Sequence, residues 1–151
     1  MDTDIIAPTL WSQFGASIDM LEAAIRACPD ALWSRSGRGR TFRETAFHAL
    51  DSLEHHLSVS PGDFRTPAAV SVTRDELLGW AARCRESCIS RLASLTEETA
   101  LARCGFPQLN MAEIELLLYA MRHLQHHVGQ LALLVRQETD SGVHWVRKST
   151  S

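Results

Sequence analysis

The stretch MRHLQHHVGQLALLVRQ, residues 121–137, spaces its apolar side chains as a helix does and sets two histidines among them. At about 100° per residue, His123 lies about 40° from His127 and one turn earlier, so both rings can converge on one point. Leu116, Ala120, Leu131 and Leu134 share that bearing, which turns the pair toward protein. His126 falls about 100° away, nearer Glu115 and Arg122, at the polar margin. Two histidines in register on an apolar face admit two readings: rings hydrogen-bonded to backbone beneath a loop, or two ligands of one ion. The spacing is not the HExxH of metalloproteases, because Leu124, Gln125 and His126 intervene.

Outward from this helix, whose start the spacing of Asn110 and Glu113 predicts, the periodicity is helical throughout. A first helix is expected from about Thr9 to Cys28, with Leu10, Phe14, Ile18, Leu21 and Ile25 on one face and Pro29 as the stop. A polar loop rich in Gly, Ser and Arg, residues 34–40, leads to a second helix over about Thr41 to Val59, ended by Ser60-Pro61-Gly62. Thr41 and Glu44 have capping-box spacing, as do Thr73 and Glu76. The third helix carries Leu77, Ala81, Cys84, Cys88, Leu92 and Leu95, and the fourth ends near Gln137. Four such helices in one 151-residue domain, with connections long enough for crossovers and an extended tail of about a dozen residues, predict an all-α four-helix bundle.

Composition narrows the partners. A net charge of −3 and a pI near 6.1 lack the basic excess of a nucleic-acid binder. No dense Lys/Arg run suggests an anionic membrane surface, and the longest apolar run, Ile114 to Met121, is broken by Glu115. Asp2 and Asp4 stand where a secretory leader would be positive, so a cytoplasmic protein is expected. Cys28, Cys84, Cys88 and Cys104 contain no CxxC; Cys84 and Cys88 read as a reduced pair in the core of helix three. Cys28 and Cys104 sit at helix or loop ends, with nothing beside them to lower a thiol pKa. Trp11, Trp33 and Trp80 read as packing residues.

Helix two is ambiguous. Its apolar arc is Phe42, Ala46, Leu50, Leu53 and Leu57, and His48 points nearly the other way, on a stripe with Glu44, Asp51, Ser52 and His55. Such a stripe is either a solvated face or the lining of a polar pocket, within which Asp51 and His55 form a competing i,i+4 ligand pair.

The segments TFRETAFHALDSLEHHL (41–57) and MRHLQHHVGQLALLVRQ (121–137) resemble the two signature segments of the DinB/YfiT-like superfamily. The first has a histidine mid-helix after Thr-Phe-Arg-Glu; the second has HxxxHxGQ, an apolar run and Arg. CPDALW (28–33) looks like the turn closing that family's first helix, and Trp145-Val146 is similar to the ends of some members. The resemblance implies the family's crossover four-helix bundle, a homodimer, and a divalent metal, zinc or nickel, held by His48, His123 and His127. It also implies a small-molecule substrate, since some relatives use low-molecular-weight thiols such as bacillithiol or mycothiol to transfer or isomerise substrates. Val128 stands where Arg often precedes the glycine, which implies a different outer wall to the site.

Three imidazoles leave a coordination position open, as catalytic zinc sites do. Such an ion can hold a thiol as thiolate, or lower the pKa of bound water for hydrolysis. The first predicts a thiol-dependent transferase. The second needs a general base, for which Glu44, Asp51 and His55 are the candidates, although orienting the ligand rings is the preferred role for all three; Gln130 reads equally as a further amide in that role or as a helix-surface amide. A third reading is a non-enzymatic dimeric bundle whose metal is structural or vestigial.

Overall fold

Pro29 follows the end of the first helix, and Thr41 and Thr73 cap the starts of the next two long ones. The computed structural model describes residues 3–58 and 71–150. Its elements are α1 (Thr3–Ala27), the short α2 (Asp30–Trp33), α3 (Phe42–Leu57), α4 (Arg74–Ala93), the short α5 (Glu97–Leu101) and α6 (Glu113–Glu138), with a 3-10 turn at Pro107–Leu109. No strand occurs among the described residues.

At the start of α3, the Thr41 hydroxyl accepts from the Glu44 amide (3.2 Å) while the Glu44 carboxylate accepts from the Thr41 amide (2.8 Å). Thr73 and Glu76 do the same for α4, as expected from their spacing. The fourth long helix starts later than expected. Asn110 lies in the left-handed region (φ 49°), after the 3-10 turn, and Glu115, not Glu113, caps the helix by accepting from the Ala112 amide. Glu113 is used elsewhere, receiving the Arg91 guanidinium at 2.7 Å. α1 begins at Thr3, six residues ahead of expectation, and runs through Pro8. The expected end of the second helix at Val59 and the Ser60-Pro61-Gly62 stop lie outside the described residues.

α1 packs against α4 and α6, and α3 packs against the same two, so α1 and α3 sit diagonally. Contacts at the ends give the directions. Arg74, at the start of α4, donates to the carbonyls of Ile25 and Cys28 at the end of α1 and stacks on Trp33. Trp33 in turn meets Phe42, at the start of α3. Arg91, at the end of α4, reaches Leu57 at the end of α3 and Glu113 at the start of α6. Hence α3 and α4 run one way and α1 and α6 the other, a crossover four-helix bundle.

The core is built from Phe14, Ile18, Leu21, Ile25, Phe42, Phe47, Leu50, Leu53, Leu77, Leu124, Val128 and Leu131, all but inaccessible. All four cysteines are buried and free; Cys84 and Cys88 lie in this core, where burial raises both thiols to about 12. Burial also raises Cys28, to about 11, against the opposing charge of Arg74. The tail after α6 docks on α1. The Ser149 amide donates to the Ser12 carbonyl at 2.8 Å, and Gln13 donates to the Arg147 carbonyl. Gly15 permits this, because a side chain there would meet Ser149 Cβ at 2.7 Å. No described helix is long and apolar enough to cross a membrane.

Candidate metal centre

α3 and α6 lie side by side, and their shared seam carries the histidines. His123 and His127 are one turn apart on α6, so their rings project together; their Nε2 atoms are 3.3 Å apart. The buried arc of α6 centres on Leu124, Leu131 and Val128, about 50° round from His127. The pair therefore lies on the edge of that arc facing α3. Val128 is fully buried in the core, so its departure from the familiar pattern changes packing and not an outer wall.

His48 meets the pair from α3, its ring centroid 4.8 Å from that of His127 and 5.5 Å from that of His123. The stripe that carries it is not a solvated face. Asp51 is 6% exposed and Ser52 2%, so α3 is buried on two sides, one apolar against the core and one polar against α6. Ligand-capable atoms of His48, His123 and His127 all lie within 4.8 Å of one another.

The site keeps these rings uncharged. Desolvation is the main cause for all three: it takes His48 from 6.5 to about 4 and lowers His123 and His127. The positive charge of Arg40, just before α3, acts on all three in the same direction. Gln130 Oε1 accepts from His127 Nδ1 at 2.8 Å, which leaves the lone pair of Nε2 facing the cluster. Tetrahedral ligand nitrogens with bonds of about 2.0–2.1 Å stand about 3.3 Å apart, the separation the His123–His127 pair already has. Three neutral imidazoles in this arrangement could hold a metal ion. His126 is exposed, beside His127 but off the cluster.

The chain matches the family model of the DinB superfamily over residues 13–131. It belongs to the DinB superfamily. Two solved DinB structures share its fold. One is a DinB-like protein of Bacillus subtilis, with a TM-score of 0.70 and 20% identity over 90% of this chain and 96% of that one. The other is described as a DinB-family member of Exiguobacterium sibiricum, with a TM-score of 0.71 and 21% identity over 97% and 99%. No curated protein matches the sequence.

The other candidates of this DinB chain fall into different places. Glu44 is one turn before His48 on the expected stripe, yet its carboxylate serves the Thr41 cap, which holds it below the usual carboxylate range. Asp51, buried one turn beyond His48, favours protonation of that ring, a smaller effect than desolvation. His55 packs on Phe106, with centroids 4.9 Å apart, and does not join the three-histidine cluster. His56, unremarked in the periodicity, is 7% exposed, packs on Tyr119 (5.2 Å), and has a buried Nδ1 without a hydrogen-bond partner. Burial pushes it down to about 4. Arg40 was legible only as one of several arginines in a polar loop.

Proposed function

We propose that this DinB chain binds one divalent metal ion through His48, His123 and His127 and acts as a thiol-dependent transferase on a small molecule. The observation that carries the reading is the convergence of three uncharged imidazoles from two helices, two of them half-buried and open to solvent on one side. When bound there, zinc or nickel supplies an electrophilic centre with a position to spare, at which an incoming thiol is favoured as thiolate.

The chain's own residues prepare this. Desolvation keeps the rings in the form that binds metal, and Gln130 selects the His127 tautomer. The positive charge of Arg40 favours an anionic over a neutral ligand beside the rings. The nucleophilic thiol comes from outside, because Cys28, Cys84, Cys88 and Cys104 are all buried. Hydrolysis fits less well: of the candidate bases, Glu44 is committed to its cap and His55 to the Phe106 ring.

Metal analysis of protein purified without an affinity tag tests the first half. About one ion per chain is expected, lost in His127→Ala and strongly reduced in His48→Ala. Equal occupancy in all three proteins overturns the ligand assignment. A thiol-conjugation screen on the loaded protein tests the second half, with conjugation expected to need both the metal and His123.

A further inference from the structure

On the flank of α6 turned away from the histidines, an open-sided cavity of about 380 Å³ lies between that helix, α1 and the tail. Gln125, in its α6 wall, is about 160° round the helix from His127, so α6 itself separates the cavity from the metal centre. Ala16 of α1, Met121 of α6 and Val146 of the tail give it apolar walls. Trp145 lines it too, while remaining 70% exposed. Among the described residues, Arg122 is the one charged group in the lining.

The tail wall is fastened in place. The Ser149 amide bonds to Ser12 at 2.8 Å, and Gln13, itself in the cavity lining, bonds to the Arg147 carbonyl at 3.2 Å. Arg122 is exposed, lies over the Tyr119 ring at 5.8 Å, and pairs with no carboxylate among the described residues. Arg147 and Lys148, next along the tail, are exposed and equally without an acid partner among those residues. In a chain of net charge −3, this rim gathers positive charge that the fold does not answer. Apolar walls, a few polar groups and this volume are the make-up of a small-molecule site, and the unanswered charge sets the sign of its ligand.

We infer that this cavity is a second ligand site, separate from the metal centre, for a small aromatic carboxylate. The ring packs among Ala16, Met121, Val146 and the Trp145 indole, where thioether and indole both favour an aromatic face. The carboxylate pairs with the Arg122 guanidinium, whose planar donors match two oxygens. A second copy of the chain fits less well. A two-fold contact centred here sets Arg122, Arg147 and Lys148 against the same cations of the other copy. The inference does not rest on the thiol reading above.

The test uses the full-length protein with isotope-labelled indoles and two probes, 2-naphthoate and the neutral 2-naphthalenemethanol. Calorimetry reads the affinities, and the indole N–H resonances read the place. 2-Naphthoate should saturate a single site and move the Trp145 resonance far more than those of Trp11, Trp33 and Trp80. It should bind about tenfold more tightly than the alcohol. In Arg122→Gln that ratio should fall to about twofold or less. In Trp145→Ala both probes should weaken about fivefold. Both positions are exposed, so both variants should keep the wild-type thermal midpoint. Excess chelator should change none of these affinities, because the site does not use the metal. Absence of saturable 2-naphthoate binding, a ratio unchanged in Arg122→Gln, or binding lost on chelation each overturns the inference. So does a wild-type dimer in sedimentation that Trp145→Ala dissociates, since the cavity would then be an interface between copies.

Discussion

His127 is held by two kinds of neighbour: Gln130 one turn on, whose Oε1 accepts a hydrogen bond from its Nδ1, and His123 one turn back, which faces its Nε2. Partners that fix ligand tautomers typically matter to metal affinity by about 10- to 100-fold. Gln130→Leu should therefore weaken binding within that range, while His126→Ala, on an exposed position, should leave it unchanged. A competition titration against a chromogenic chelator measures both; equal weakening would place the tautomer's control elsewhere. The His123–His127 pair was legible because spacing alone puts the two rings together. His48 was not, because hydropathy scores polar side chains as solvated, whereas Asp51 and Ser52 are buried and His48 is half-buried against the rings of His123 and His127. Only the resemblance to DinB proteins selected His48 from that stripe. Gln130 looked equally like a surface amide, since its partner is set by rotamer and not by sequence position.

Helices here are begun by their caps. Replacing Thr41 by Ala removes one hydrogen bond of the reciprocal pair and should cost about 1 kcal/mol in chemical denaturation. A stability change below a few tenths of a kcal/mol would mean that tertiary packing alone starts α3. The two Thr-x-x-Glu boxes were readable and fall where the spacing put them. The Asn110–Glu113 spacing fits the same pattern but misleads, because Glu113 is drawn to Arg91 of α4. A one-dimensional pattern cannot see that competing partner. The same limit hid α5, whose Thr96–Thr99 pair lacks the carboxylate of the usual box.

Among the described residues, burial favours the neutral form of four histidines: it takes His48 and His56 from an ordinary 6.5 to about 4 and lowers His123 and His127. A folded pKa below the unfolded one means the unfolded chain takes up protons first as the medium acidifies. Stability should therefore be at its full value above about pH 6.5 and fall as the pH drops toward 4. Urea midpoints in the presence of a chelator check this, and His56→Leu should show a shallower fall while removing the unpartnered Nδ1. Parallel curves for the two proteins would show that His56 is not held neutral by its surroundings. The bundle itself was the most legible feature, since four apolar stripes can be satisfied only against each other, and the docked tail the least, since its polar contacts to α1 follow no periodicity. One consequence of the burial of all four cysteines concerns chemical labelling. In the native molecule every thiol is shielded, so an alkylating reagent meets sulfur only when the bundle opens. The rate of label uptake is then a clock for opening events, written into the chain without any engineered probe.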